Sequence, residues 1–234
     1  MKKTVTCLVT LLAAGSAFAA DTSASRNVED ALGKLQSATN YSWTTIMKIP
    51  DMPFEPGPLK GRAERSGRAI VTQQFNENTM QAAFKGDKIA VCGQGQWDSI
   101  EQADDQTAMM GRWLTSSGAA AEEAGKLLKY AGELKALDDA LAGALSPEGA
   151  REILTLRPLG GSAPVAPKTA TGSVKFWLRD GALVKFESHF QGTSAFGPDQ
   201  EERNFEITRT VEIQDVGTTK LELPAEAAKI LEAK

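Results

Sequence analysis

Between residues 25 and 37, Val28, Leu32 and Leu35 recur at helical spacing with Ala31 beside them, which predicts one amphipathic helix. From Tyr41 the period changes to two. Tyr41, Trp43, Thr45, Met47 and Ile49 alternate with Ser42, Thr44 and Lys48, and only Ile46 breaks the rhythm of this predicted strand. Pro50, Pro53, Pro56 and Pro58 then forbid regular pairing, so a loop follows that displays Met52 and Phe54. Several short strands are expected over 59–93. Those at 68–75, 79–85 and 88–93 are separated by Asn76-Glu77-Asn78 and Gly86-Asp87, residues that tolerate positive φ. Successive hairpins of this kind make an antiparallel meander.

A helical rhythm returns near residue 100. Asp98 and Glu101 have the spacing of a capping box, and Ile100, Ala103, Thr107, Met110 and Leu114 define one face. A second helix is expected over 120–144, with Leu127, Ala131, Leu134, Leu137 and Leu141 on one stripe and Leu128 and Leu145 beside it. Ser146-Pro147 restarts the chain as cap and first helical residue of a third helix, running to about Leu156. Residues 157–171, rich in Pro, Gly and Ala, read as a loop within one domain.

The last third alternates most clearly. Val174, Phe176 and Leu178 are followed, after the tight-turn pair Asp180-Gly181, by Val184, Phe186, Ser188 and Phe190. Phe205, Ile207, Arg209, Val211 and Ile213 form a third series, and Pro224 starts a terminal helix. One face of this sheet is apolar and the other polar, as expected of an antiparallel sheet with one wet side. No internal repeat is present. The fold class is α+β.

The chain has 234 residues and a formal charge of −4. Met1-Lys2-Lys3, the apolar stretch 5–14 and Ala17-Phe18-Ala19 have the order of a secretory signal, cleaved after residue 19. The apolar stretch is too short to span a bilayer of about 30 Å as a helix. Cleavage would leave one domain over 20–234 with charge −6, in the periplasm or secreted. That acidity gives no hold on nucleic-acid phosphates. No second long apolar run predicts a transmembrane helix in the mature chain. Cys7 would be lost with the signal, leaving Cys92 as a buried thiol that cannot form an internal disulfide.

The order of a helix, hairpins, a helical insertion and a second set of hairpins resembles the periplasmic lipoprotein carriers of the Lol type. It is also similar to the mycobacterial lipid-binding lipoproteins. The residues that carry the likeness are Leu32-Gly33-Lys34-Leu35 running into Tyr41-Ser42-Trp43, and the strand pair 174–178 and 184–190 joined by Asp180-Gly181. The resemblance implies a strongly curved antiparallel sheet, an incomplete β-barrel, with helices covering its concave face over a greasy cavity. The helical insertion is longer than in those families, and no cysteine follows the signal as in the mycobacterial group.

On that scaffold the expected function is non-catalytic: an exported carrier for lipid, lipoprotein acyl chains or another apolar ligand. A flexible apolar cavity can hold a lipid without a special polar motif, at about 0.8 kcal/mol per acyl methylene. The candidate ligand-binding residues are Met109, Met110, Leu127 and Leu134 on the helical lid, and Phe176, Phe186, Phe205, Ile207, Arg209 and Val211 on the sheet. Arg209 stands in register with apolar neighbours, so it must find an anion or reach water, for instance at a cavity rim. Met52 and Phe54 are candidates for a protein partner, and an envelope-stress sensor or interaction module is the alternative function. Lys60, Arg62, Arg65 and Arg68 read as a solvated edge. No cofactor or metal is expected. His189 is a lone histidine on a polar face, and Asp104-Asp105 and Asp138-Asp139, placed on helices, diverge around them. Gly93-Gln94-Gly95-Gln96 lacks the third glycine of a dinucleotide site.

Overall fold

The structure is a computed structural model. It describes residues 22–50, 56–75, 78–93, 95–155, 165–196 and 201–233, with backbone alone for Thr22, Asn78 and Phe196. The elements run α1 (Thr22–Ser37), β1 (Asn40–Lys48), β2 (Leu59–Glu64), β3 (Arg68–Phe75), β4 (Asn78–Lys85), β5 (Lys88–Gly93) and β6 (Gln96–Ser99). They continue as α2 (Asp105–Thr115), α3 (Ala120–Tyr130), β7 (Lys135–Leu137), β8 (Ala140–Leu145), α4 (Pro147–Leu154), β9 (Thr169–Arg179), β10 (Ala182–Phe196), β11 (Glu201–Gln214) and α5 (Ala225–Glu232).

The strands form a single antiparallel sheet in the order β6-β5-β4-β3-β2-β1-β11-β10-β9-β8-β7. Two runs of hairpins, β1 to β6 and β7 to β11, are joined along β1 and β11, where Trp43 faces Ile213 and Thr45 faces Val211. The end strands β6 and β7 do not pair, so the sheet is curved but not closed into a barrel. Asp180 and Gly181 take φ of 52° and 69°, the double positive φ that a two-residue hairpin turn requires.

The period-two pattern sets the inner face. Trp43, Thr45 and Met47 of β1 lie level with Ile213, Val211 and Arg209 of β11, and Val211 and Arg209 continue into Phe186 and Ser188 of β10 and Phe176 and Val174 of β9. The main core gathers this face with Val28, Ala31, Leu32 and Leu35 of α1, Ala108 and Leu114 of α2, Ala120, Ala124 and Leu127 of α3, and Ala150 of α4. Close approach is built in at two glycines. A Cβ on Gly61 would lie 2.1 Å from the Trp43 ring, and one on Gly111 of α2 would lie 2.1 Å from Val91 Cγ1.

Three expectations need correction, and the terminal helix takes a place for which no expectation was stated. The capping residue of α2 is Asp104, which accepts from the backbone N–H groups of Gln106 and Thr107, while Asp98 belongs to β6. The helix expected over 120–144 stops at Tyr130, and β7 and β8 follow. A spacing of four residues puts side chains on one face of a strand as well as of a helix, so Leu141 and Leu145 of β8 fit both rhythms, while Leu137 belongs to β7. Gly132 and the positive φ of Asp138 (53°) decide for a hairpin, which places Asp138-Asp139 at its turn and not on a helix. Pairing of β9 with β10 begins at Thr169, inside the expected loop, and α4 ends at Leu154. Finally, α5 lies on the opposite face of the sheet from the other helices. There Ala227 and Leu231 pack with Ile70, Ala83 and Ala90. The concave face is thus covered by α1 to α4, and α5 braces the outside of β4 to β6.

Candidate functional site

A small cleft opens on the concave face where α2 passes over the sheet. Thr45 and Met47 of β1, Leu59 of β2, Gln73 of β3, Arg209 of β11, and Trp113 and Leu114 of α2 line it. Strand alternation brings the sheet residues together, because Thr45 is level with Leu59 and Met47 is level with Arg209. The cleft holds about 20 Å³, room for little more than one water-sized group.

Its floor carries polar atoms short of partners. Thr45 is 4% exposed and Gln73 3% exposed. The Gln73 amide nitrogen donates to the Gly57 carbonyl at 2.6 Å, which leaves Gln73 Oε1 free, and Thr45 Oγ1 has no partner. Buried polar atoms are ordinarily satisfied, so two on one cleft wall are notable. Ser188, opposite Arg209 on β10, is likewise buried with its Oγ unpaired.

Arg209 finds its anion inside the protein. Its Nη2 donates to Glu123 Oε2 at 3.1 Å, and its Nε lies 3.1 Å from Oε1 without the alignment of a hydrogen bond. Both side chains are largely buried. Glu123 projects from the apolar side of α3, among Ala120, Ala124 and Leu127. Burial pushes its carboxyl above the ordinary carboxylate value, and Arg209 pulls against that rise. A second tie holds α3: the buried Tyr41 hydroxyl accepts from the Ala121 N–H at 3.1 Å. Burial drives that phenol up to about 12.

The covering helices therefore differ. Two polar contacts fasten α3 to the sheet. Among the described residues, the hydrogen bonds of α2 side chains stay within α2 and its caps. Its hold is apolar: Ala108, Gly111 and Leu114 face the core, and the Trp113 ring meets Phe75 at 5.6 Å. It ends at Thr115, and Gly118 in the turn that follows has a φ of 72°.

Most candidate ligand residues lie in a packed core. Leu127, Leu134, Phe176, Phe186 and Val211 are at most 1% exposed, with the Phe176 and Phe186 rings 6.5 Å apart. Phe205, Ile207 and Met110 are half-buried. Met109 is 62% exposed and turns away from the sheet, so it lines no hollow in this state. Arg209 alone of the set reaches the cleft. Met52 and Phe54 lie outside the described residues, as does the segment 1–21. Cys92 is buried, and burial raises its thiol. His189 meets Glu206 at 3.0 Å on the outer face, Arg65 donates to the Ser37 carbonyl, and Arg68 pairs with Glu64. Among the described residues, no group of His, Cys, Asp and Glu could hold a metal ion, and no helix is long and apolar enough to cross a membrane.

Sequence reasoning missed Glu123, Thr45, Gln73 and Trp113 as site residues. Glu123 had left a signal: it stands four residues before Leu127 on the same helical stripe, a charge that demanded a partner. Gln73 and Thr45 left none, because strand alternation does not report which buried polar atoms lack partners.

No protein-family model matches the chain, and no curated protein matches it by sequence. Among solved structures, it is similar to the lipoprotein LppX of Mycobacterium tuberculosis, with 12% identity, 87% of this chain and 100% of that chain covered, and a TM-score of 0.47. LprF from Mycobacterium bovis has 10% identity, 88% and 97% coverage and a TM-score of 0.45. A LolA superfamily protein from Nitrosomonas europaea has 12% identity, 85% and 94% coverage and a TM-score of 0.32.

Proposed function

We propose that the chain is a non-catalytic binding protein for an apolar ligand, a lipid or the acyl chains of a lipid-modified protein, which enters beneath α2 on the concave face. Residues 1–19 would export it as a signal peptide, and 20–234 would act as one domain in the periplasm or outside the cell. The observation that carries this reading is the unequal fastening of the cover. Among the described residues, two polar contacts tie α3 to the sheet, while α2 rests on apolar contact above a cleft walled by Met47, Leu59, Trp113 and Leu114.

In this state the cleft is far smaller than the 300–1,000 Å³ or so of an ordinary ligand pocket, so binding requires α2 to lift. The energies permit it. Baring a buried Leu114 and the half-buried Trp113 costs about 1.5–3 kcal/mol each. Each acyl methylene taken from water contributes about 0.8 kcal/mol, so about four to eight of them offset the loss. Gly118 supplies a backbone pivot that does not strain at positive φ.

The test is extraction of the protein gently purified from exporting cells, followed by lipid mass spectrometry and uptake of added lipid. The expected result is an acyl species in near-equal amount to protein, or saturable uptake. No acyl species and no uptake would overturn the proposal.

A further inference from the structure

We infer that the cleft is a head-group site selecting a neutral, hydrogen-bonding acyl ligand, such as a monoacylglycerol or a fatty amide, over a fatty carboxylate or a phospholipid phosphate. This rests on the cleft being where an acyl ligand enters.

Three observations define the chemistry. First, Thr45 and Gln73 line the cleft, and Thr45 Oγ1 and Gln73 Oε1 are buried without a partner, so a head group reaches them only once α2 has lifted. A hydroxyl both donates and accepts, whereas an amide oxygen only accepts. The orientation of Gln73 is fixed because the Gly57 carbonyl can only accept, so the amide nitrogen must face it. The complementary ligand group offers an acceptor to Thr45 and a donor to Gln73. An ester beside a free hydroxyl has both, and so does a primary amide. An ionised carboxylate or a phosphate diester has no donor for Gln73.

Second, the local charge is already balanced. Arg209 is the cationic wall of the cleft, but Glu123 takes its guanidinium at two 3.1 Å contacts. An incoming anion would have to displace a carboxylate held in the same low-dielectric space, or sit beside it unpaired. A neutral head meets no such penalty and can still accept from the imperfectly aligned Arg209 Nε.

Third, the size fits. The closed cleft holds about one water-sized group, so the more compact the head, the less α2 must move to admit it. The apolar walls Met47, Leu59, Trp113 and Leu114 then adjoin the head where the acyl tail leaves beneath the lifted helix.

The experiment compares binding of monooleoylglycerol, oleate at pH 8 and 1-octadecene to the full chain by native mass spectrometry and displacement of an acyl fluorophore. It also uses two variants of near-equal volume: Thr45→Val, which removes the free hydroxyl, and Gln73→Met, which removes the free Oε1 together with the donor to the Gly57 carbonyl. Monooleoylglycerol should bind about tenfold or more tightly than the other two, as expected of one or two buried hydrogen bonds. Each variant should erase most of that preference and leave 1-octadecene unchanged. Thr45→Val should also match or exceed the parent in thermal stability, which separates lost recognition from lost folding. Equal binding of all three ligands, a preference for oleate, or a preference that survives both substitutions would overturn the head-group assignment while leaving apolar binding intact. A crystal structure in which one water satisfies Thr45 and Gln73 and stays when ligand is bound would overturn it too. Binding of none of the three would overturn the proposed function along with it.

Discussion

Replacing Arg209 with Met should make the protein's stability strongly dependent on pH. Arg209 and Glu123 form a largely buried pair, with side chains 16% and 10% exposed. Removing one member of such a pair leaves the other charge uncompensated, which costs about 3–5 kcal/mol. The sign follows from the protons bound. Burial already raises the Glu123 carboxyl in the folded chain, and the Arg209 charge opposes that rise. Without Arg209 the carboxyl rises further. A carboxyl whose folded pKa exceeds its unfolded one stabilises the fold at low pH, and that stability is lost as pH climbs from the unfolded toward the folded value. Arg209→Met should therefore lose less at pH 5 than at pH 8, because the loss grows as the medium favours the ionised Glu123 carboxylate. For a domain of about 200 residues, the full loss is a fall in midpoint of order 10 °C at pH 8. Glu123→Leu combined with Arg209→Met should recover most of the loss, since an apolar pair of similar volume is often neutral or better. Urea and thermal unfolding at the two pH values check this. Equal losses at pH 5 and pH 8, or a double variant no better than the single one, would refute the pairing argument.

Gly61→Ala forces a Cβ to within 2.1 Å of the Trp43 ring, so it should cost about 1–3 kcal/mol in unfolding experiments. Tyr41→Phe strips the Ala121 N–H of its acceptor and should cost about 1–3 kcal/mol at neutral pH. Because folding lifts the Tyr41 phenol to about 12, its contribution is complete below the unfolded value near 10 and fades between there and 12. The Phe variant should lack that alkaline slope. Leu231→Ala empties a site on the convex face, so it should lower stability by about 2–5 kcal/mol and leave acyl-ligand uptake unchanged.

The alternation of Tyr41, Trp43 and Thr45, of Phe176, and of Phe186 through Phe190 located the central strands and their inner face, because one buried side enforces a period of two. The edge was harder. The Leu-rich stretch through Leu145 satisfies a four-residue spacing shared by helix and strand, and only the turn geometry at Asp138 separates them. The place of α5 was hidden for another reason. Ala83 and Ala90 are too small to mark the outer face of β4 and β5 as apolar, yet they form the seat for Leu231. At the site, Arg209 was legible as an inward charge on an apolar strand face. Its partner required knowing which helix crosses β11, information carried by tertiary packing and by no local spacing. The greasy cavity was what the family resemblance implied, and no local spacing reports how much of Phe176 and Phe186 packs into the main core.

The central claim, that cargo enters under a displaceable α2, can be tested by fastening that helix. A Cβ built on Gly111 lies 3.3 Å from Val91 Cβ, just below the roughly 3.5–4.5 Å of a disulfide, so a few tenths of an ångström of adjustment joins α2 to β5. Val91→Cys with Gly111→Cys, in a Cys92→Ala background, should take up no acyl ligand when oxidised and regain uptake on reduction. Equal uptake in the oxidised and reduced forms would contradict the account.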